Sequence, residues 1–151
     1  MVIGVGNALR HDDAAGLEIV RRLRARARAV EIAVYEQEGE PLALLDMWEG
    51  ADAVVLVDAI RCGGAPGSIR RIDATSAPIP ERLRGFSSTH AVGLGEAIEL
   101  ARTLHRLPTR VVLFGVEGRR FDAGSGLSEE VQAVIASVAD AVLHEACELA
   151  G

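Results

Sequence analysis

Three separate segments of this 151-residue chain carry side chains that together could do chemistry: Asp12 and Asp13 on the first, Asp58 on the second and His90 on the third. Asp12 and Asp13 follow a short apolar opening run. Asp58 comes directly after Ala53-Val54-Val55-Leu56-Val57, and His90 closes a stretch containing Pro78, Pro80 and Gly85. Two carboxylates and an imidazole on different loops, with room left for water, make an open divalent-metal site if the fold brings them together. The gaps of 45 residues (13 to 58) and 32 (58 to 90) match no compact zinc motif, so convergence must come from the strand order. Asn7 belongs to the same strand-end set.

Each residue also has a plainer role. Asp12 or Asp13 suits the cap of the helix that follows, since a short carboxylate readily accepts the first free N–H groups. Asp58 can bond to a loop backbone, although an acid after five apolar residues sits where desolvation sharpens its chemistry. His90 taken alone reads as a hydrogen-bonded structural histidine. Gly4-Val5-Gly6 after a strand invites a dinucleotide-binding reading, but the third glycine of that fingerprint would fall at Leu9. Cys62 lies near Asp58 without a histidine or helix start to lower its pKa. Ser87 and Ser88 lack a Gly-x-Ser-x-Gly frame. Gly124-Ser125-Gly126 reads as a turn leading to a Ser128 cap, and the arginines from Arg21 to Arg28 as a solvated helix face. His105 and His144 read as surface or packing residues on helices.

The elements that must position these groups follow from hydrophobic periodicity. Residues 1–5 form a buried strand ending in a turn, and the segment after Asp13 forms a helix with Leu17, Val20 and Leu23 inward. A second strand is expected at 30–35 and a helix at 41–48, with Pro41 in its first turn. The strand 53–57 stops at Asp58. A modest strand at 68–72, an irregular stretch at 74–89, a helix at 91–104 and a strand at 111–116 come next. Val131, Val134, Ile135, Val138 and Val142 then trace a final amphipathic helix.

Short buried strands alternating with helices imply an α/β fold: a three-layer αβα sandwich with a mostly parallel sheet of about five strands. In such sheets ligands sit beyond the carboxyl ends of the strands, near the point where strand order reverses. That rule selects Asn7, Asp12, Asp13, Asp58 and His90 if the first and third strands are neighbours.

Composition narrows the class. At 151 residues, 49% of them hydrophobic, the chain is expected to be one globular domain over 1–151. Its net charge of −6 argues against a duplex nucleic-acid binder. All 16 basic residues are arginine, so lysine chemistry is excluded. Two isolated cysteines make no disulfide framework, and no apolar run approaches membrane-spanning length or a signal peptide. A cytoplasmic protein without a membrane partner is therefore expected.

The segment Val2-Ile3-Gly4-Val5-Gly6-Asn7-Ala8-Leu9-Arg10-His11-Asp12-Asp13-Ala14-Ala15-Gly16 resembles the opening signature of the hydrogenase maturation proteases. Leu56-Val57-Asp58-Ala59-Ile60 and Ser88-Thr89-His90-Ala91-Val92-Gly93-Leu94 match in order. Val112-Leu113-Phe114-Gly115-Val116-Glu117 and Gly126-Leu127-Ser128 look like the family's last strand and following turn. The resemblance implies an αβα sandwich and an endopeptidase that removes the carboxyl-terminal extension of a [NiFe]-hydrogenase large-subunit precursor. It implies that Asp13, Asp58 and His90 meet nickel presented by that precursor, with no organic cofactor. Where many members carry a Gly-Gly-Thr-type stretch, this chain has Glu36-Gln37-Glu38-Gly39-Glu40-Pro41, and Ala14 stands where glycine is frequent. Two rivals belong to other classes: a non-catalytic nickel-site assembly factor on the same scaffold, and a nucleotide-binding module using Gly4 to Asn7.

Overall fold

Buried β-branched runs pair most readily as the middle of a parallel sheet, and the computed structural model, which describes residues 1–38, 40–81 and 93–151, has that arrangement. The strands are β1 (Val2–Gly6), β2 (Val34–Glu38), β3 (Ala53–Ile60), β4 (Ile69–Asp73) and β5 (Arg110–Glu117). They lie in the order β2-β1-β3-β5-β4. All pairings are parallel except that of β4, which runs antiparallel to β5 at one edge. The chain leaves β1 for β2 on one side and returns to β3 on the other, so the strand order reverses between β1 and β3.

Helices cover both faces. On one face α1 (Ala15–Ala29) and α5 (Ile135–Ala150) pack over Val2, Val55, Val57, Val112 and Phe114. On the other, α2 (Leu44–Met47) and α3 (Leu94–Thr103) pack over Ile3, Val5, Leu56, Ile60 and Leu113. Trp48 is buried in this second layer and donates its indole N–H to the Arg106 carbonyl at 3.0 Å, so the polar end of the ring is satisfied. Among the described residues, no helix is long and apolar enough to cross a membrane.

Several boundaries differ from the sequence expectation. The second strand begins at Val34, not residue 30. Helix α1 runs to Ala29, and the turn that ends it, with Glu31 at φ +58, takes up the apolar residues first assigned to the strand. The third strand does not stop at Asp58. Its ladder with β5 continues through Asp58↔Gly115, Ala59↔Val116 and Ile60↔Glu117, because backbone pairing is indifferent to one side-chain charge. Residues 41–48 divide into a 3-10 turn (Pro41–Ala43) and α2, and the last helix divides into α4 (Glu129–Gln132) and α5. The expected helix at 91–104 is described from Leu94 to Thr103. His105 falls just beyond it, exposed and at φ +56, and not on a helix as the sequence suggested.

Candidate functional site

The carboxyl end of β1 is shaped by what its glycines leave out. A Cβ at Gly6 would stand 2.0 Å from the Asp13 carbonyl oxygen, and one at Gly16 would stand 2.3 Å from the Val5 carbonyl. The missing side chains let a 3-10 turn, His11–Ala14, fold back against the strand, where the Asn7 N–H donates to the Asp13 carbonyl at 3.1 Å. The same turn packs near β3. Gly4 and Gly6 thus serve helix and turn packing against the strand, which accounts for the doublet without a nucleotide. Asn7 has a turn role: its Oδ1 accepts the Leu9 N–H at 2.9 Å.

Asp12 does not cap the helix it precedes; neither the 3-10 turn nor α1 has a side-chain cap. Its fully buried carboxylate reaches the segment after β5. It accepts the Arg119 N–H (2.7 Å), the Arg120 N–H (2.9 Å), the Ser128 N–H (2.7 Å) and the Ser128 hydroxyl (2.9 Å). Burial alone would raise its pKa, but the hydrogen bonds from Ser128, Arg120 and Arg119 outweigh that and hold it below the ordinary range. Ser128 stands at the N-cap position of α4, as the sequence suggested, yet its hydroxyl serves Asp12 and makes no cap. Backbone bonds sew the two segments together further: His11 N–H to Gly124 carbonyl (3.0 Å) and Gly124 N–H to Leu9 carbonyl (2.9 Å). A side chain at Gly124 would meet the His11 ring, 2.1 Å from its Nε2.

Asp13 and Asp58 are both nearly inaccessible, at 5% and 6% exposure. Asp58 shares the strand face of Leu56 and Ile60 and so looks toward the layer of α2 and α3. Burial pushes its carboxyl well above the usual carboxylate range, the negative charge of Asp13 adds to this, and a hydrogen bond from the Ala59 backbone opposes it. The structure therefore brings together two acids, Asp13 on the 3-10 turn after β1 and Asp58 within β3, at the reversal of strand order. His90, with Ser87 and Ser88, lies outside the described residues. Among the described residues no group of three potential metal ligands is found.

Sequence reasoning passed over Glu117. It is 2% exposed at the end of β5 and accepts the Cys62 N–H (2.9 Å) and the Gly63 N–H (3.0 Å), which holds the turn leaving β3 just beyond Asp58. The signal that singled out Asp58, an acid closing an apolar run, was present at Glu117 too. Burial, then the charge of Glu117, push the Cys62 thiol up, against a weaker pull from Arg70, which fits a structural cysteine and not a nucleophile. The arginine face of α1 is exposed and also ion-paired: Arg21 and Arg24 each reach Glu36 at 2.7 Å. The parallel register puts Glu38 at the carboxyl end of β2, beside Gly6 at that of β1, and Glu36 mid-strand beside Gly4.

The comparisons with known proteins agree with this architecture. The family model described as hydrogenase maturation protease matches residues 17–145, which include Asp58 and His90 and begin four residues after Asp13. A candidate hydrogenase maturation protease of Methanocaldococcus jannaschii is 29% identical over 153 residues, spanning 96% of this chain and 94% of the relative. The hydrogenase 2 maturation protease of Escherichia coli is 27% identical over 145 residues, spanning 95% of this chain and 87% of the relative. The crystal structure of a [NiFe] hydrogenase maturation protease from Thermococcus kodakarensis KOD1 superposes with a TM-score of 0.74. Its 23% identity, over 95% of this chain and 88% of that one, bears on the fold alone.

Proposed function

The chain belongs to the hydrogenase maturation protease family, a family of hydrolases, and from that premise we propose that it removes the carboxyl-terminal extension of a nickel-loaded [NiFe]-hydrogenase large-subunit precursor in the cytoplasm. The observation that carries the reading is the pair of buried acids, Asp13 and Asp58, gathered where strand order reverses. A divalent cation suits such a pair, because two carboxylates in one apolar setting repel and a cation between them offsets both the repulsion and the desolvation. His90 is proposed as the third ligand, supplying an imidazole nitrogen that suits nickel beside carboxylate oxygens. The ion is the substrate's own, so the acids recognise a precursor whose metal centre is already assembled.

In this reading the chain's residues bind and orient. Asp58 is held on a central strand, and Asp13 on a turn fastened to the segment after β5, so both meet the incoming metal with little rearrangement. One of these carboxylates takes a proton from the water as its oxygen attacks the scissile carbonyl, and returns it to the departing amine nitrogen as the C–N bond breaks.

Processing of the precursor tests the proposal. Nickel-loaded precursor is incubated with the wild-type protein, Asp58→Asn and His90→Ala, and the precursor mass is followed by mass spectrometry. Loss of the extension with wild type only, at unchanged far-UV circular dichroism of both variants, is expected. A precursor that is bound but keeps its mass overturns the protease reading in favour of an assembly factor, and normal processing by His90→Ala removes that residue from the site. Calorimetric titration with Cd²⁺ reads the ligand set without the precursor: one-site binding is expected for wild type and none for His90→Ala.

A further inference from the structure

The fully buried Asp12 carboxylate is a neighbour of Asp13 in the chain, but its bonds run across the molecule. Among the described residues its four donors come from Arg119, Arg120 and Ser128, more than a hundred residues away. They converge on two oxygens, three of them being backbone N–H groups of the segment that follows β5. The Asp12 N–H itself donates to the Arg120 carbonyl at 2.9 Å, so the residue is tied at both its backbone and its side chain. A helix start needs no such arrangement; one carboxylate with four long-range donors is a bolt between two loops.

We infer that Asp12 is a positioning residue, whose carboxylate locks the 3-10 turn to the segment after β5 and thereby fixes where the Asp13 carboxylate stands relative to Asp58. The inference deepens, and rests on, the reading of Asp13 as a group that meets the precursor's metal. The backbone geometry gives the route. The Asp13 carbonyl accepts the Asn7 N–H, and the Asp13 N–H donates to the Arg10 carbonyl, both at 3.1 Å. Neither of these two backbone bonds reaches beyond the loop. Among the described residues, the loop is fastened to the segment after β5 by Asp12, by the backbone bonds joining His11 and Leu9 to Gly124, and by the His11 ring, whose Nδ1 lies 3.0 Å from the Gly126 carbonyl; of these, the Asp12 carboxylate gathers the most donors. Replacing the carboxylate by an amide keeps the volume, but its NH₂ group must face N–H donors, which loosens the bolt without emptying the site.

Amide hydrogen exchange, followed by NMR on the full chain, tests this. In Asp12→Asn, exchange at Asn7 and Asp13 is expected to quicken about tenfold, while amides in the middle of α1 keep their wild-type protection. Processing of the nickel-loaded precursor is expected to lose about tenfold or more in kcat with KM nearly unchanged, since misplacement of a reacting group costs rate and not affinity. Ser128→Ala removes a single donor and keeps three backbone N–H groups, so it should lose less. Its loss should vanish in the Asp12→Asn background if both act through one bolt. Independent, additive losses, or a lowered melting temperature with exchange at Asn7 and Asp13 and kcat both unchanged, overturn the inference. Should Asp12→Asn fail to fold, Ser128→Ala decides alone by the same two readouts, and wild-type values in both overturn it. If wild-type protein leaves the precursor intact, the proposed function has failed, and the exchange result still upholds or overturns the bolt.

Discussion

Gly6 shows how much of the site depends on an atom that is not there. The strand, the 3-10 turn and the start of α1 approach so closely that a methyl group at Gly6 would lie 2.0 Å from a backbone oxygen of Asp13. Backbone cannot yield as a flexible side chain can, so the turn must move. Gly6→Ala is expected to lower stability by about 1–3 kcal/mol, measured as a shifted urea midpoint, and to displace Asp13 along with it. The control is Gly50→Ala, where a Cβ meets nothing within 4 Å; the strain there is that of φ +79 alone. A larger loss at Gly50 than at Gly6 would show that close packing is not what the β1 glycine serves. At this scale the sequence singled out Asp13 and Asp58 as acids following apolar runs, and the structure buries both. The roles of Asp12 and Glu117 were not legible, because their partners are far away in the chain. His90, selected by the strand-end rule and by the resemblance alike, lies outside the described residues.

Among the elements, β4 is the exception in an otherwise parallel sheet. It is pinned from the helix layer: Arg71 makes a two-pronged bond to Glu145 of α5, both contacts at 2.7 Å. The hydrogen bond from Arg71 holds the Glu145 carboxyl below its usual range. A carboxyl whose folded pKa is depressed contributes stability above its unfolded pKa, and that contribution disappears as pH falls through the folded value. Arg71→Ala should therefore cost up to about 1 kcal/mol at pH 7, the discount for a half-exposed pair being included. The gap from wild type should close in denaturant titrations as pH drops below about 4, near the ordinary glutamate range. A gap that stays constant with pH would assign the loss to packing of the arginine stem. Strand content was readable wherever a run was buried on both faces, as in β3 and β5. The edge strand β2 was misplaced because its residues are half exposed and ion-paired, so apolar content there carries little signal.

Over the whole molecule, the two rims of the sheet divide the work. The candidate site occupies the carboxyl rim, whereas a hollow of ≈ 240 Å³ lined by Trp48, His105 and Arg106 lies on the amino rim, beside the starts of β3 and β5. Arg106 there bonds to the Leu45 carbonyl and to Asp46 and Glu49. Arg106→Ala is expected to leave precursor processing within about twofold of wild type, since exposed ion pairs contribute little. A strong loss of processing would relocate function toward that rim. The three-layer architecture and the apolar runs that precede Asp13 and Asp58 follow from periodicity and burial pattern, which are properties of neighbouring residues. Strand order, the choice of Asp12 as bolt and Asp13 as the acid beside Asp58, and the role of Glu117 depend on which distant segments meet. Only tertiary pairing decides that, because a hydrogen bond spanning more than a hundred residues leaves no trace in local spacing.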